Sequence, residues 1–236
     1  MMPPQKPENI PDEISDNTSE EAARQAVIDG ALKINELGLN RGAAGNVSVR
    51  TQGGFLITPT GMAYDALTPA DISALDQRGK PFGARKPSSE WHIHHNLYQS
   101  RPEIGAIVHC HAIYCTALAC LKRNIPAFHY MVAVAGGSHI RCADYATFGS
   151  EQLSHNVATA MDRRKACLMA HHGMIAAGQD LPEALHIASE VETLAEQYHL
   201  ALQIGDPEIL SGEEMEIVLE KFAGYGQHTP PAPTND

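Results

Sequence analysis

Basic residues are scarce in this chain. Its 17 Lys and Arg stand against 28 Asp and Glu, a formal net charge of −11 with histidine neutral. A polyphosphate backbone is held by clustered Lys and Arg, so this balance argues against a nucleic-acid partner. No apolar stretch approaches the roughly 20 residues that cross a bilayer, and no membrane association is expected. The five cysteines, Cys110, Cys115, Cys120, Cys142 and Cys167, are odd in number and contain no C-x-x-C. Neither a zinc ribbon nor a disulfide framework follows from them, and a reducing cytoplasm suits them. The glycines of RGAAGNVSVR lack the G-K-[ST] ending of a Walker loop. There is no internal repeat.

An apolar fraction of 43% with 19% charged residues suits a globular protein, and 236 residues are enough for one substantial core. The opening segment, rich in Pro and acids and without an apolar core, is expected to be a flexible tail over residues 1–19 rather than a secretory signal. HTPPAPTND at the other end reads the same way, giving a tail over 227–236 and a single domain over 20–226.

The apolar spacing of AARQAVIDGALKINEL predicts a helix over 21–37, stopped by Gly38. NVSVR and GFLIT read as two short strands joined through TQGG. SSEWHIHHNLYQS is expected to be helical, with Ser88 or Ser89 as N-cap and Arg101-Pro102 closing it. AIVHCH reads as a buried strand and KACLMAHHGMIAAG as a buried strand pair. Helices are expected over 114–121, 150–161, 181–202 and 213–222, and AFHYMVAVA as an extended, half-buried run. Strands alternating with helices predict an α/β protein with a central sheet covered by helices.

Thirteen histidines are abundant, and their arrangement matters more than their number. His109 and His111 flank one residue on the expected strand, so both rings project from one face, as two ligands of one metal require. The alternative is a pair of polar residues hydrogen-bonded at a strand end. His92 and His94 share that spacing on an expected helix, where they subtend about 200 degrees and cannot share a face. They read as surface or packing residues. One of His171 and His172, at the end of another buried strand, can point toward His109 and His111. Three neutral imidazoles and an exchangeable fourth position suit a catalytic zinc. Glu90, in the first turn of a helix, is the candidate carboxylate.

Small anions remain compatible with the acidic chain, because backbone N–H groups at turns and helix starts can hold one phosphate. Three segments offer such donors: RGAAGN with Asn46, the Thr60-Gly61 turn, and Ser88-Ser89.

The segments GNVSVR, ITPTG, PSSEWH, VHCHA, HYMVAVAGG, YATFG and HHGMIAAG, in that order, resemble the class II aldolase and adducin family over residues 37–225. The resemblance implies a mixed central β-sheet sandwiched between α-helices, one zinc or other divalent ion per chain, and a homotetramer with active sites at subunit interfaces. It implies His109, His111 and His172 as metal ligands, with Glu90 as fourth ligand and catalytic base. Phosphate is expected against Asn46, Thr60, Gly61, Ser88 and Ser89. Tyr130 is implied as a catalytic acid reaching a neighbouring subunit, and Phe222 and Tyr225 as neighbours of an aldehyde pocket. The implied reaction is reversible cleavage of a ketose 1-phosphate, such as L-fuculose 1-phosphate or a deoxypentulose or methylthioribulose phosphate, to dihydroxyacetone phosphate and an aldehyde. Dehydratase and sugar-acid phosphate decarboxylase members share the metal histidines, and an adducin-like interaction module would lack them. An epimerase would be expected to carry Asp at position 90.

Overall fold

Along residues 106–110, Ala106, Val108 and Cys110 lie in one buried cluster and Ile107 in another. This is the two-residue alternation of a strand covered on both faces. The computed structural model describes residues 12–223, and in it this strand is central to an eight-stranded sheet. The strands are β1 (Asn46–Thr51), β2 (Gly54–Ile57), β3 (Ser73–Asp76), β4 (Pro81–Phe82), β5 (Ala106–Cys110), β6 (Cys142–Ala143), β7 (Ala166–Met169) and β8 (Gly173–Gly178). Their order is β4-β3-β2-β1-β5-β8-β7-β6, antiparallel throughout except for the parallel pair β6 and β7.

Among the described residues six α-helices accompany the sheet: α1 (Asp12–Glu36), α2 (Trp91–Ser100), α3 (Ile113–Cys120), α4 (Glu151–Ala160), α5 (Leu181–Ile204) and α6 (Gly212–Ala223). Ile34 of α1, Leu118 of α3 and Leu194 of α5 join Val108, Leu168 and Met174 on one face of the sheet. Ile93 and Leu97 of α2 and Leu153 and Val157 of α4 join Ile107, Cys167 and Ile175 on the other. The architecture is therefore the expected mixed sheet between helical layers. Among the described residues no helix is long and apolar enough to cross a membrane.

Several local expectations are corrected. AFHYMVAVA is not extended: Tyr130–Ala135 form a 3-10 turn, opened by His129, whose Nδ1 accepts from the Met131 N–H at 3.2 Å, and closed by Gly136 at φ +83°. Neither Ser88 nor Ser89 caps α2. Glu90 occupies the N-cap position with its side chain uncommitted to the helix, and Ser88 Oγ instead accepts from the Glu90 N–H. Helix α1 begins at Asp12, inside the segment expected as a tail. Once nucleated on packed residues, a helix gains one backbone bond for each further residue fixed. Strands β3, β4 and β6 are too short to show a period.

Ile107, fully buried at the sheet centre, gives a direct check on this core. Ile107→Ala is expected to lower unfolding stability by about 2–5 kcal/mol and Ile107→Val by about 0.5–1.5 kcal/mol in denaturant titrations.

Candidate metal centre

The sheet brings the site together where β5 ends and β1 and β8 begin. In the antiparallel register Asn46 pairs with His109, and Cys110 with Met174. His109 is the last inward residue of β5 on its face, and His111 follows just beyond the strand. Two glycines permit the close approach. A Cβ on Gly45 would lie 2.5 Å from the His109 carbonyl oxygen, and one on Gly173 would lie 2.5 Å from the Cys110 carbonyl oxygen and 2.8 Å from His111 Cδ2. Between β7 and β8, His171 takes a left-handed conformation at φ +55°, uncommon for a residue with a side chain. It is exposed, with its ring edge-on to Tyr145, while His172 is partly buried beside His109 and His111. The ambiguity between the two adjacent histidines is thus resolved by one turn of backbone.

The ring nitrogens of His109, His111 and His172 lie within 4.8 Å of one another. Glu90 faces them: its Oε2 is 3.1 Å from His109 Nε2 and its Oε1 is 3.1 Å from His172 Nε2. Neither contact is aligned as a hydrogen bond, and Glu90 Oε1, His109 Nε2 and His111 Nε2 are buried without a partner among the described residues. The tautomer of His109 explains why. Its Nδ1–H donates to the Met174 carbonyl at 2.8 Å, which leaves a lone pair on Nε2 aimed at the carboxylate. Burial, followed by the charge of His109, lowers the pKa of His111 and of His172 to about 4, so both rings are neutral at physiological pH. Burial alone would raise the Glu90 carboxyl, but the interaction with His109, foremost, and the Asn46 amide outweigh it and hold the group well below the carboxylate range. Converging lone pairs around a buried anion, with no proton donor between them, fit a divalent cation.

The expected anion-binding segments are also neighbours. Ser88 N–H donates to the Thr58 carbonyl at 3.0 Å and Thr60 N–H to the Lys86 carbonyl at 3.1 Å, so residues 58–61 run beside 86–89. Gly61 has φ +69° and is exposed. Ser89 shares a cavity of about 430 Å³ with Glu90, His111 and His172, also lined by Tyr145 and Phe148. Tyr130 is not on that cavity. It is 50% exposed and lines a second cavity of about 540 Å³ with Phe128, Val218 and Phe222, its ring 6.5 Å from that of Phe222. Tyr225 lies outside the described residues.

One buried group, expected as a surface or packing residue, belongs to the site. His94 hydrogen-bonds through Nε2 to Asn46 Oδ1 at 2.6 Å and through Nδ1 to Ser48 Oγ at 2.7 Å, and Asn46 Nδ2 donates to Glu90 Oε2 at 3.0 Å. The available signal was E-x3-H-x3-Y on one helix face opposite N-x-S on a strand, rather than the H-x-H of His92 and His94.

The model of the class II aldolase and adducin N-terminal domain matches residues 25–199. A 5-methylthioribulose-1-phosphate/5-deoxyribulose-1-phosphate aldolase of Rhodospirillum rubrum is 55% identical over 215 residues, spanning 89% of this chain and 97% of its own. The L-fuculose phosphate aldolase of Escherichia coli K12 is 54% identical over 205 residues, spanning 86% and 95%. A solved L-fuculose 1-phosphate aldolase superposes with a TM-score of 0.83 at 43% identity, covering 86% of this chain and 96% of that one. With the family model spanning most of the chain and relatives above half identity over nearly their whole length, this protein belongs to the class II aldolase and adducin family.

Proposed function

We propose that this chain is a metal-dependent aldolase that reversibly cleaves a ketose 1-phosphate into dihydroxyacetone phosphate and an aldehyde. The observation that carries the reading is the buried carboxylate of Glu90 set against three imidazole lone pairs. The relatives add the substrate class, since their names specify L-fuculose phosphate and 5-methylthioribulose or 5-deoxyribulose 1-phosphate. Either class releases the same three-carbon ketone phosphate.

In this reading His109, His111 and His172 would hold one zinc or similar divalent ion, and Glu90 would be the fourth ligand in the absence of substrate. The ion, when bound, supplies Lewis acidity toward the substrate's carbonyl and neighbouring hydroxyl oxygens. Glu90 removes the proton beside that carbonyl, a role for which a buried, ionised carboxylate already aimed into the cavity is suited. Thr60, Gly61, Ser88 and Ser89 surround the phosphate with hydroxyl and backbone donors. Asn46 joins them with its second amide hydrogen, the first being committed to Glu90. Tyr130 protonates the aldehyde oxygen in condensation and accepts the proton in cleavage. Its exposure, away from the cavity at Glu90, suits service to a neighbouring subunit in a cytoplasmic homotetramer, with Phe222 and Tyr225 flanking the aldehyde.

A panel of ketose 1-phosphates with product identification tests the reaction class. Cleavage to dihydroxyacetone phosphate is expected, abolished by chelation and restored by added zinc. Loss of water from methylthioribulose phosphate without carbon–carbon cleavage would replace the aldolase reading with a dehydratase. Full activity after verified metal removal would remove the metal from it.

For Tyr130, the Tyr130→Phe chain is expected to lose cleavage about 100- to 10,000-fold while still exchanging a proton of dihydroxyacetone phosphate with solvent. Mixing it with His109→Ala chains should restore cleavage, because some interfaces then combine an intact metal site with an intact tyrosine. Confirmed subunit mixing with no recovered activity would place the tyrosine's role within its own chain or in packing.

A further inference from the structure

The carboxylate of Glu90 is the last member of a buried chain of hydrogen bonds whose direction can be deduced. Tyr98, Ser48, His94 and Asn46 are each at most 4% exposed. The separations are 2.8 Å from Tyr98 Oη to Ser48 Oγ, 2.7 Å from Ser48 Oγ to His94 Nδ1, 2.6 Å from His94 Nε2 to Asn46 Oδ1 and 3.0 Å from Asn46 Nδ2 to Glu90 Oε2. An ionised carboxylate only accepts, so Asn46 must turn its NH2 group to Glu90 and its carbonyl oxygen to His94. A carbonyl oxygen also only accepts, so His94 Nε2 carries the hydrogen. Burial lowers the His94 pKa to about 3, which leaves a single ring hydrogen and a lone pair on Nδ1. Ser48 therefore donates to His94, and Tyr98 donates to Ser48. Reversing any link would set the Asn46 carbonyl oxygen against the carboxylate.

We propose that His94, as its Nε2–H tautomer, is a positioning residue that locks the Asn46 amide with its NH2 group on Glu90. The geometry is built from two ladders. Asn46 and Ser48 sit two apart on one face of β1, and His94 and Tyr98 four apart on one face of α2. The far end is pinned by Arg50, whose guanidinium lies 4.6 Å from the Tyr98 ring centroid and donates to the carbonyls of Tyr98, Arg101 and Ile104. Four polar side chains in a core are tolerated only when each is satisfied, and here satisfaction is unique in direction. An amide so held cannot rotate to present its oxygen to the base.

The role rests on Glu90 being the base of the proposed reaction, so the test has one arm that depends on that reaction and one that does not. In the first arm, His94→Leu removes the donor to Asn46 while roughly keeping volume, and His94→Gln keeps a donor and an acceptor. With metal content unchanged, His94→Leu is expected to lower kcat for ketose 1-phosphate cleavage about 10- to 100-fold with KM altered less than about threefold, and His94→Gln to recover most of the loss. A kcat for His94→Leu within about twofold of the parent, or a loss confined to KM, would overturn the role. In the second arm, long-range 1H–15N correlation spectra of the unaltered protein near neutral pH report the tautomer. The His94 signals are assigned by their absence from the His94→Gln spectrum. A protonated Nε2 with a bare Nδ1 is expected, and the opposite tautomer or a doubly protonated ring overturns the proposal even if His94→Leu fails to fold. Should the parent cleave no ketose 1-phosphate, the reaction assignment falls while the tautomer still decides the role of His94.

Discussion

Glu90 brings a negative charge into a buried space where the Asn46 amide donates to it at 3.0 Å and two imidazole nitrogens lie 3.1 Å away. A carboxylate in such a place is costly unless paired, and unpaired lone pairs on His109 and His111 add to the cost. The imidazoles do not relieve it by taking up protons freely, because burial holds His111 and His172 neutral. His109 behaves differently: burial lowers its pKa, but attraction to Glu90 outweighs this and raises it. Its Nε2 faces Glu90 across the place that a metal ion would occupy. The tension built into this cluster is what a bound cation would resolve.

The rest of the fold serves to maintain that convergence. Antiparallel pairing of β1 with β5 sets Asn46 beside His109, and pairing of β5 with β8 supplies the Met174 carbonyl that fixes the His109 tautomer. Gly45 and Gly173 let backbone pass where any Cβ would collide, and the left-handed His171 turns His172 inward. Backbone strain of this kind typically costs on the order of 1–3 kcal/mol and persists only where surrounding packing enforces it. Fully buried clusters on both sheet faces provide that enforcement.

Much of this was legible in the sequence because it is local. The runs at 106–110 and 166–178 announce buried strands, and the apolar spacing over 21–37 announces the body of α1. The spacing of His109 and His111 carried the metal reading without any contact information. What escaped was non-local. His94 meets Asn46 and Ser48 across separations of 48 and 46 residues, and the E-x3-H-x3-Y spacing gains its meaning only once β1 is known to lie opposite it. Likewise the β-branched, aromatic composition around Tyr130 favours a strand, yet His129 opens a 3-10 turn by accepting from the Met131 N–H with its own ring and overrides that preference.

The central claim is that Glu90 is a base held at a metal site. It is tested most directly by exchange of dihydroxyacetone phosphate protons with solvent deuterium, measured for the parent and for Glu90→Gln at matched metal content. The account predicts a fall in exchange of about 100- to 10,000-fold with the metal largely retained by the three histidines. Exchange in Glu90→Gln within about twofold of the parent would contradict it.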